Sequence, residues 1–222
     1  VMEGSIYGVY IANPGKGYKN TDNVVVGASD ATGTGATFSL KTRRSNGNNP
    51  RCSARFQRRY VYAGTRNNPM TAWGSRTGEF SFGENSIPTD ADPWEYEIDS
   101  AEISPISALV PGPKGLLMFT TSGVALLYGP QGQPVTPKVA VLDMQSAVGC
   151  ARRRPVMVGD DIVYLQQGYR GLQMLGLEAG GQRYTGQEIS ILARHLFDGK
   201  PIVSMDFAYT TEKQGYLLRS DG

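Results

Sequence analysis

The sequence predicts an all-β protein made of propeller-like blades, with one helix near residues 186–198 and a small β-module at the N-terminal end. Three observations lead there. Short apolar strand pairs recur along residues 60–222, and 28 glycines with 13 prolines in 222 residues supply turns between them. Helical periodicity is confined to one stretch. The pairs also recur at a defined interval. Leu117 to Val163 is a step of 46 residues and Val163 to Leu217 a step of 54, close to the repeat of propeller blades, about 40–50 residues each.

In chain order, residues 1–44 read as the module. Ser5 to Ala12 is a strand rich in aromatic and β-branched residues, and residues 13–18 (Asn-Pro-Gly-Lys-Gly-Tyr) make a turn. Val24 to Val26 is a second strand, and Gly33-Thr34-Gly35 leads into a third, Ala36 to Thr42. Three strands in so short a piece hold little apolar mass, so the module is expected to lean on a neighbour. Residues 45–50 (Ser-Asn-Gly-Asn-Asn-Pro) are a polar linker, and residues 51–222 carry the repeats. The first hairpin pairs Tyr60 to Ala63 with Thr71 to Ser75. The second pairs Leu116 to Thr120 with Val124 to Tyr128 across Thr121-Ser122-Gly123. The third pairs Ile162 to Gln166 with Leu172 to Leu177, and the fourth runs from Ile202 to Arg219.

The helix is predicted from two signals. Thr185 and Glu188 have capping-box spacing, which lets a hydroxyl and a carboxylate each satisfy a free backbone N–H. Ile189, Leu192, Ala193 and Leu196 then share one stripe, and Gly199 stands where a C-terminal glycine ends a helix. The stripe is expected to pack on the neighbouring sheet edge. The chain opens on Val1 and closes on Asp221-Gly222, a turn where a hairpin would continue, so it is expected to be a piece of a longer protein.

The residues argue against most catalytic chemistry. His195 is the one histidine, and it projects away from the stripe as a solvated or interface residue. No Gly-x-Ser-x-Gly elbow accompanies it; Gly74-Ser75-Arg76-Thr77-Gly78 has its serine one place early. A zinc site is not expected from one histidine and two cysteines as far apart as Cys52 and Cys150, which are expected to be free thiols. Gly33-Thr34-Gly35 lacks the third glycine of a dinucleotide fingerprint and precedes a strand, and no phosphate-loop Gly-Lys-Ser/Thr occurs. The acids Asp90, Asp92, Glu95, Glu97 and Asp99 are interrupted by Pro93 and Trp94 and read as a solvated connector. No catalytic residue, cofactor or metal is predicted, and no apolar run of membrane-spanning length occurs.

Net charge is only +2, but the basic residues are clustered. Residues 41–60 hold Lys41, Arg43, Arg44, Arg51, Arg55, Arg58 and Arg59 with no acid among them, and Arg152-Arg153-Arg154 forms a second run. Arg43, Arg44, Arg51, Arg152, Arg153 and Arg154 are the candidate interface or phosphate-contact residues. Arg59 and Arg76, embedded in the strand–turn pattern, are expected to be structural and to pair with carboxylates such as Asp161, Glu79 or Asp99. Arg55 and Arg58 carry the same two readings, pairing within the protein or meeting a partner.

One series of short motifs points further. Arg59 with Ala63-Gly64-Thr65, Pro69, and Ser75-Arg76-Thr77-Gly78 is followed by Val135-Thr136-Pro137, Gln145-Ser146 and Gly149. Pro155, Val158-Gly159, Ile162-Val163-Tyr164, His195-Leu196-Phe197 and Asp221-Gly222 complete it. In that order, residues 50–222 resemble the tail nozzle proteins of short-tailed bacteriophages, also called tail tubular protein B, and the related tail hub or stabilisation proteins. Residues 1–40, with Gly15-x-Gly17-Tyr18 and Gly33-x-Gly35-Ala36, are similar to Gly-Tyr β-modules inserted in phage virion proteins. The resemblance implies a non-enzymatic virion component with β-propeller blades, assembled in the host cytoplasm into a six-fold tail ring. It implies as partners further copies of the chain, a tail adaptor, tail fibres or spikes, and phage DNA in transit. The family's flanking platform segments are not in this sequence. Two rival functions stand beside it: a carbohydrate-binding or carbohydrate-processing propeller, which needs acids and aromatics converging at its channel, and a nucleic-acid-binding β module built on the basic segment.

Overall fold

The computed structural model describes residues 23–26, 36–39, 48–83, 89–100, 103–169, 171–178, 180–181, 183–197, 199, 202–208 and 214–220. The chain forms two compact units, residues 1–46 and 47–222. In the first, β1 (Asn23–Val26) and β2 (Ala36–Ser39) pair antiparallel, with Val25 opposite Thr37. The expected strand over 5–12, the turn at 13–18, Gly33 and Gly35, and Arg43 and Arg44 lie outside the described residues.

The second unit is a run of antiparallel meanders. The first sheet holds β3 (Cys52–Phe56), β4 (Arg59–Ala63), β5 (Thr71–Gly74) and β6 (Trp94–Glu97) in sequential order. The second holds β7 (Ile106–Pro111), β8 (Leu116–Thr120), β9 (Val124–Tyr128) and β10 (Val141–Ser146). The third holds β11 (Val156–Val158), β12 (Asp161–Leu165), β13 (Leu172–Leu177) and β14 (Tyr184–Glu188). A two-stranded sheet of β15 (Ile202–Ala208) and β16 (Gln214–Arg219) follows. The protein is all-β, and its sheets are blade-like. Val61, Leu117, Val163 and Leu217 all fall on second strands, which is why the apolar rhythm repeats at those positions.

The continuous apolar runs follow from packing on both faces. All five side chains of β8 are buried, and four of the five in β9. In a strand, alternate residues point to opposite faces. Leu116, Met118, Ala125 and Leu127 therefore join Val61, Ala63, Ala72 and Trp94 of the first sheet. Leu117, Phe119, Val124 and Leu126 join Ile162, Tyr164 and Leu175 of the third. Leu165 meets Ile202 and Phe197 at the last junction. Each Val, Leu, Ile, Phe or Met among them contributes about 1.5–3 kcal/mol when fully buried, so the central sheet is the best-anchored part of the unit.

Two glycines set the spacing. A Cβ on Gly74 would lie 2.2 Å from the Trp94 ring, which packs flat against it across β5 and β6. Gly64 has φ +69° and brings its backbone so close to β7 that a Cβ would sit 2.4 Å from the Ile106 carbonyl oxygen. That approach, with the Ile106 N–H donated to the Pro69 carbonyl at 2.9 Å, ties the first sheet to the second.

The expected helix over 186–198 is not formed. Residues 184–188 are strand β14, paired with β13 so that Gly186 faces Leu175 and Glu188 faces Gln173. Only Ile191–Leu196 turns helically, as a 3₁₀ segment broken at Ala193 (φ −124°, ψ 24°). The cause is tertiary. The β13 edge needs a partner, Tyr184 is buried in the second core cluster, and the Ser190 hydroxyl accepts the Leu172 N–H at 2.9 Å. These contacts outweigh a capping signal worth about 1 kcal/mol. Glu188 instead holds Arg194 through two bonds of 3.0 and 2.9 Å. The stripe expected on a sheet edge is not packed there: Ile189 is 44% exposed and Leu192 94%. Gly199 does adopt a positive φ of 70°.

Candidate functional site

The first strands of the sheets run past two neighbouring cavities. The larger, about 930 Å³, lies between β3, β7 and the segment leading into β11. The smaller, about 480 Å³, is bounded by β7, β11 and β15 and shares Leu109, Pro111 and Arg154 with the first. Five arginines line the larger one: Arg51, Arg55, Arg152, Arg153 and Arg154. Among the described residues, no carboxylate or aromatic side chain lines it.

Local structure explains why each arginine is there. The Arg51 N–H donates to the carbonyls of Ala63 and Gly64, at 3.0 and 3.2 Å, which fixes the start of β3. Arg55 lies on the exposed side of the alternating β3 pattern, with its guanidinium 5.8 Å from the Tyr60 ring centre. The second run is held from below. Ala151 is fully buried and donates its N–H to the Leu165 carbonyl at 2.8 Å, and the Cys150 thiol donates to the Ala151 carbonyl at 3.1 Å. With Pro155 also buried, Arg152 and Arg154 are left exposed. Arg153 turns back: its Nε donates to the Ile202 carbonyl at 3.2 Å, and its guanidinium lies 5.5 Å from the Tyr169 ring centre. It joins the third sheet to the fourth. Among the described residues, the guanidinium groups of Arg51, Arg152 and Arg154 make no hydrogen bond or ion pair.

Arg59 and Arg76 lie elsewhere, at the turns of the first sheet. Arg59 is 3% exposed. Its guanidinium donates to the carbonyls of Ser75, Ala91 and Asp92 at 2.7, 3.2 and 2.7 Å, and to the Asp90 carbonyl at 2.7 Å. It gathers the loop before β6 with backbone oxygens rather than with the side-chain carboxylates expected. Burial lowers its pKa, and the Asp92 charge opposes that. Arg76 reaches Glu79 at 4.0 Å and Asp92 at 3.9 Å, both long contacts. Neither arginine pairs with Asp161 or Asp99. Asp92 is itself buried, so the acidic run is not the uniformly solvated connector that its composition suggests.

The motif residues that carry the resemblance are mostly turn fixtures. Ser75 Oγ accepts the Tyr60 N–H at 2.9 Å and lies 2.8 Å from the Glu79 carbonyl as donor. Gly78, at φ +80°, donates its N–H to the Arg58 carbonyl at 2.8 Å. A Cβ on Gly149 would lie 1.9 Å from the Thr121 carbonyl oxygen.

Both cysteines are free thiols. Burial pushes each up to about 12, so neither is a thiolate nucleophile at neutral pH. His195 is exposed on the 3₁₀ segment. Trp94 is buried and Trp73 half-buried, and neither lines the cavity. Among the described residues no cluster of metal-ligating side chains occurs, and no helix is long and apolar enough to cross a membrane. An aromatic group covers the face of the first sheet turned away from the second: the rings of Tyr60, Tyr62, Phe80 and Phe82 pack at 5.2–6.0 Å, edge to face except for the tilted Tyr62–Phe82 pair. No protein-family model matches the chain, and no curated protein does.

Sequence reasoning singled out Arg51 and Arg152–Arg154 as charge runs without placing them together. It did not see that strands β3, β7 and β11 bring them round one cavity. Their signal was the basic residues just ahead of β3 and β11, and those strands are short or mixed in pattern.

Proposed function

We propose that the 47–222 unit is a structural wall element of a bacteriophage tail nozzle or hub, a non-enzymatic virion protein whose copies form a six-fold ring through which DNA leaves. The observation that carries the reading is the stack of sheets packed face to face, with Arg51 and Arg55 of the first sheet's leading edge and Arg152–Arg154 ahead of the third lining a common cavity. It is joined by the ordered motifs of residues 50–222 that resemble the nozzle and hub proteins. In this reading the function is mechanical. Sheets buried on both faces make a stiff wall, and one heterologous interface repeated round an axis closes a ring. Basic side chains on the lumen side hold or guide a phosphate backbone. The tail adaptor and the fibres or spikes dock on the same ring, which belongs to the virion tail and is assembled in the host cytoplasm. The carbohydrate reading gains nothing from the cavity, whose charged lining is arginine.

Negative-stain electron microscopy of the purified protein tests this. Rings of tail diameter are expected, and their binding to an isolated tail adaptor should be saturable. Monomers at all concentrations, with no adaptor binding, would overturn the reading.

A further inference from the structure

We infer that the cavity between β3, β7 and the Arg152–Arg154 segment is a binding site for adjacent phosphate groups, carried by a free polyphosphate or by the backbone of a single nucleic-acid strand. Three features converge on that chemistry. Arg51, Arg152 and Arg154, whose guanidinium groups make no hydrogen bond or ion pair among the described residues, line one space, and Arg55 adds a fourth charge held over Tyr60. Among the described residues, no acid lines that space. Like charges brought together without a counter-charge repel, and an anion between them removes the repulsion. The lining beside them includes the apolar side chains of Ala108, Leu109 and Pro111. A low-dielectric wall beside charges of one sign focuses the field toward the opening.

The donor type narrows the ligand. Guanidinium forks match phosphate oxygens two at a time, and arginine stays charged at any working pH. A volume of about 930 Å³ is at the upper end of small-molecule pockets, about 300–1,000 Å³. It therefore has room for two or three linked phosphates and an attached sugar. The site is open, and Arg51, Arg55, Arg152 and Arg154 are exposed, so entry needs no rearrangement.

The inference deepens the conduit reading but stands on the cavity alone. A chain that forms no ring can still bind the anion, and a ring that binds none would leave the wall reading intact.

The experiment uses the 222-residue chain and two probes. Binding of inorganic tripolyphosphate is measured by calorimetry, and binding of a fluorescent oligothymidylate by anisotropy, both over a salt series. At low salt, at least one probe should bind saturably. For the oligonucleotide, log affinity should fall with log salt at about 0.7 per phosphate contacted. Arg152→Ala/Arg154→Ala should weaken binding about tenfold or more, as loss of charge-assisted hydrogen bonds implies. The control Lys138→Ala/Arg183→Ala removes the same charge from exposed positions outside the cavity and should change affinity by less than about twofold, a screened long-range effect. Arg152→Lys/Arg154→Lys keeps the charge and should recover part of the binding. Thermal melts show whether each variant is folded, and Arg51→Ala provides a second lesion on a separate strand. Tripolyphosphate binding alone identifies a free polyphosphate as the ligand, and oligonucleotide binding alone identifies a backbone. Saturable binding of neither probe, or equal losses in the cavity and control variants, would overturn the inference.

Discussion

At the residue scale, arginines of one charge do opposite jobs, and what surrounds each head group decides which. Arg59 is enclosed by four carbonyls, whereas the Arg51 guanidinium is exposed and its backbone N–H does the structural work. Arg59→Ala removes the donor on which the Ser75, Asp90 and Asp92 carbonyls converge, and should cost about 3–5 kcal/mol in urea melts. Arg51→Ala should stay within about ±0.5 kcal/mol. Equal losses would mean that burial is not what separates the two groups. The sequence showed both as basic residues in a strand–turn pattern, but carbonyl recognition was not legible because it depends on a loop folding back from residues 89–92. Buried acids give a second residue-scale expectation. Burial pushes Cys150 up to about 12 from 9.0, and Tyr164 up to about 12 from 10.0 against a hydrogen bond from Ser146. The unfolded chain releases these protons first. Their contribution to stability is therefore complete below about pH 9 and is lost as pH rises toward about 12. Melting temperatures should fall progressively across that window. A midpoint that holds steady to the top of it would contradict the assignment.

At the element scale, second and third strands of the four-stranded sheets were legible and their first and fourth strands were not. β8 and β9 read as apolar runs because both faces are buried, and β12 and β13 do so in part. β6, β10 and β14 each bury only one side chain, so their polar residues hide the pattern. β14 also carried a capping signal that pairing with β13 overrode. The β3–β4 hairpin was missed for a different reason. Its turn is Gln57-Arg58, with φ of 47° and 60°, a conformation that usually takes Asn-Gly. The turn survives because the Gln57 side chain accepts the Val135 N–H at 2.8 Å and the Arg58 carbonyl accepts the Gly78 N–H at 2.8 Å. Arg58→Gly keeps both bonds and removes the left-handed strain, about 1–2 kcal/mol, at an entropic cost of about 0.5–1 kcal/mol. A net gain of about 0.5–1 kcal/mol should appear as a higher urea midpoint with an unchanged slope. A lower midpoint would show that the arginine side chain, and not the tertiary bonds, holds the turn.

At the scale of the whole unit, position in the stack outranks position in the repeat. Leu117, Val163 and Leu217 occupy the same place on second strands, and the sequence offers no reason to rank them. Their surroundings differ because the sheets are packed in series. Leu117 lies in the second sheet, covered on both faces, and is fully buried beside Ile162 and Tyr164. Leu217 lies in β16 and is 40% exposed. Cavity formation is costly only where neighbours are fixed on every side. Leu117→Ala should therefore cost about 2–5 kcal/mol, with Val163→Ala between it and Leu217. Leu217→Ala, which leaves no enclosed void, should cost about 1 kcal/mol or less. Urea melts of the three variants, analysed with a common slope, measure this ranking directly. If Leu217→Ala were as damaging as Leu117→Ala, β16 would have to be covered in solution by something outside residues 47–222. Concentration-dependent melting of the unmutated chain would then separate a second copy from a change within the unit, because only association shifts the midpoint with dilution.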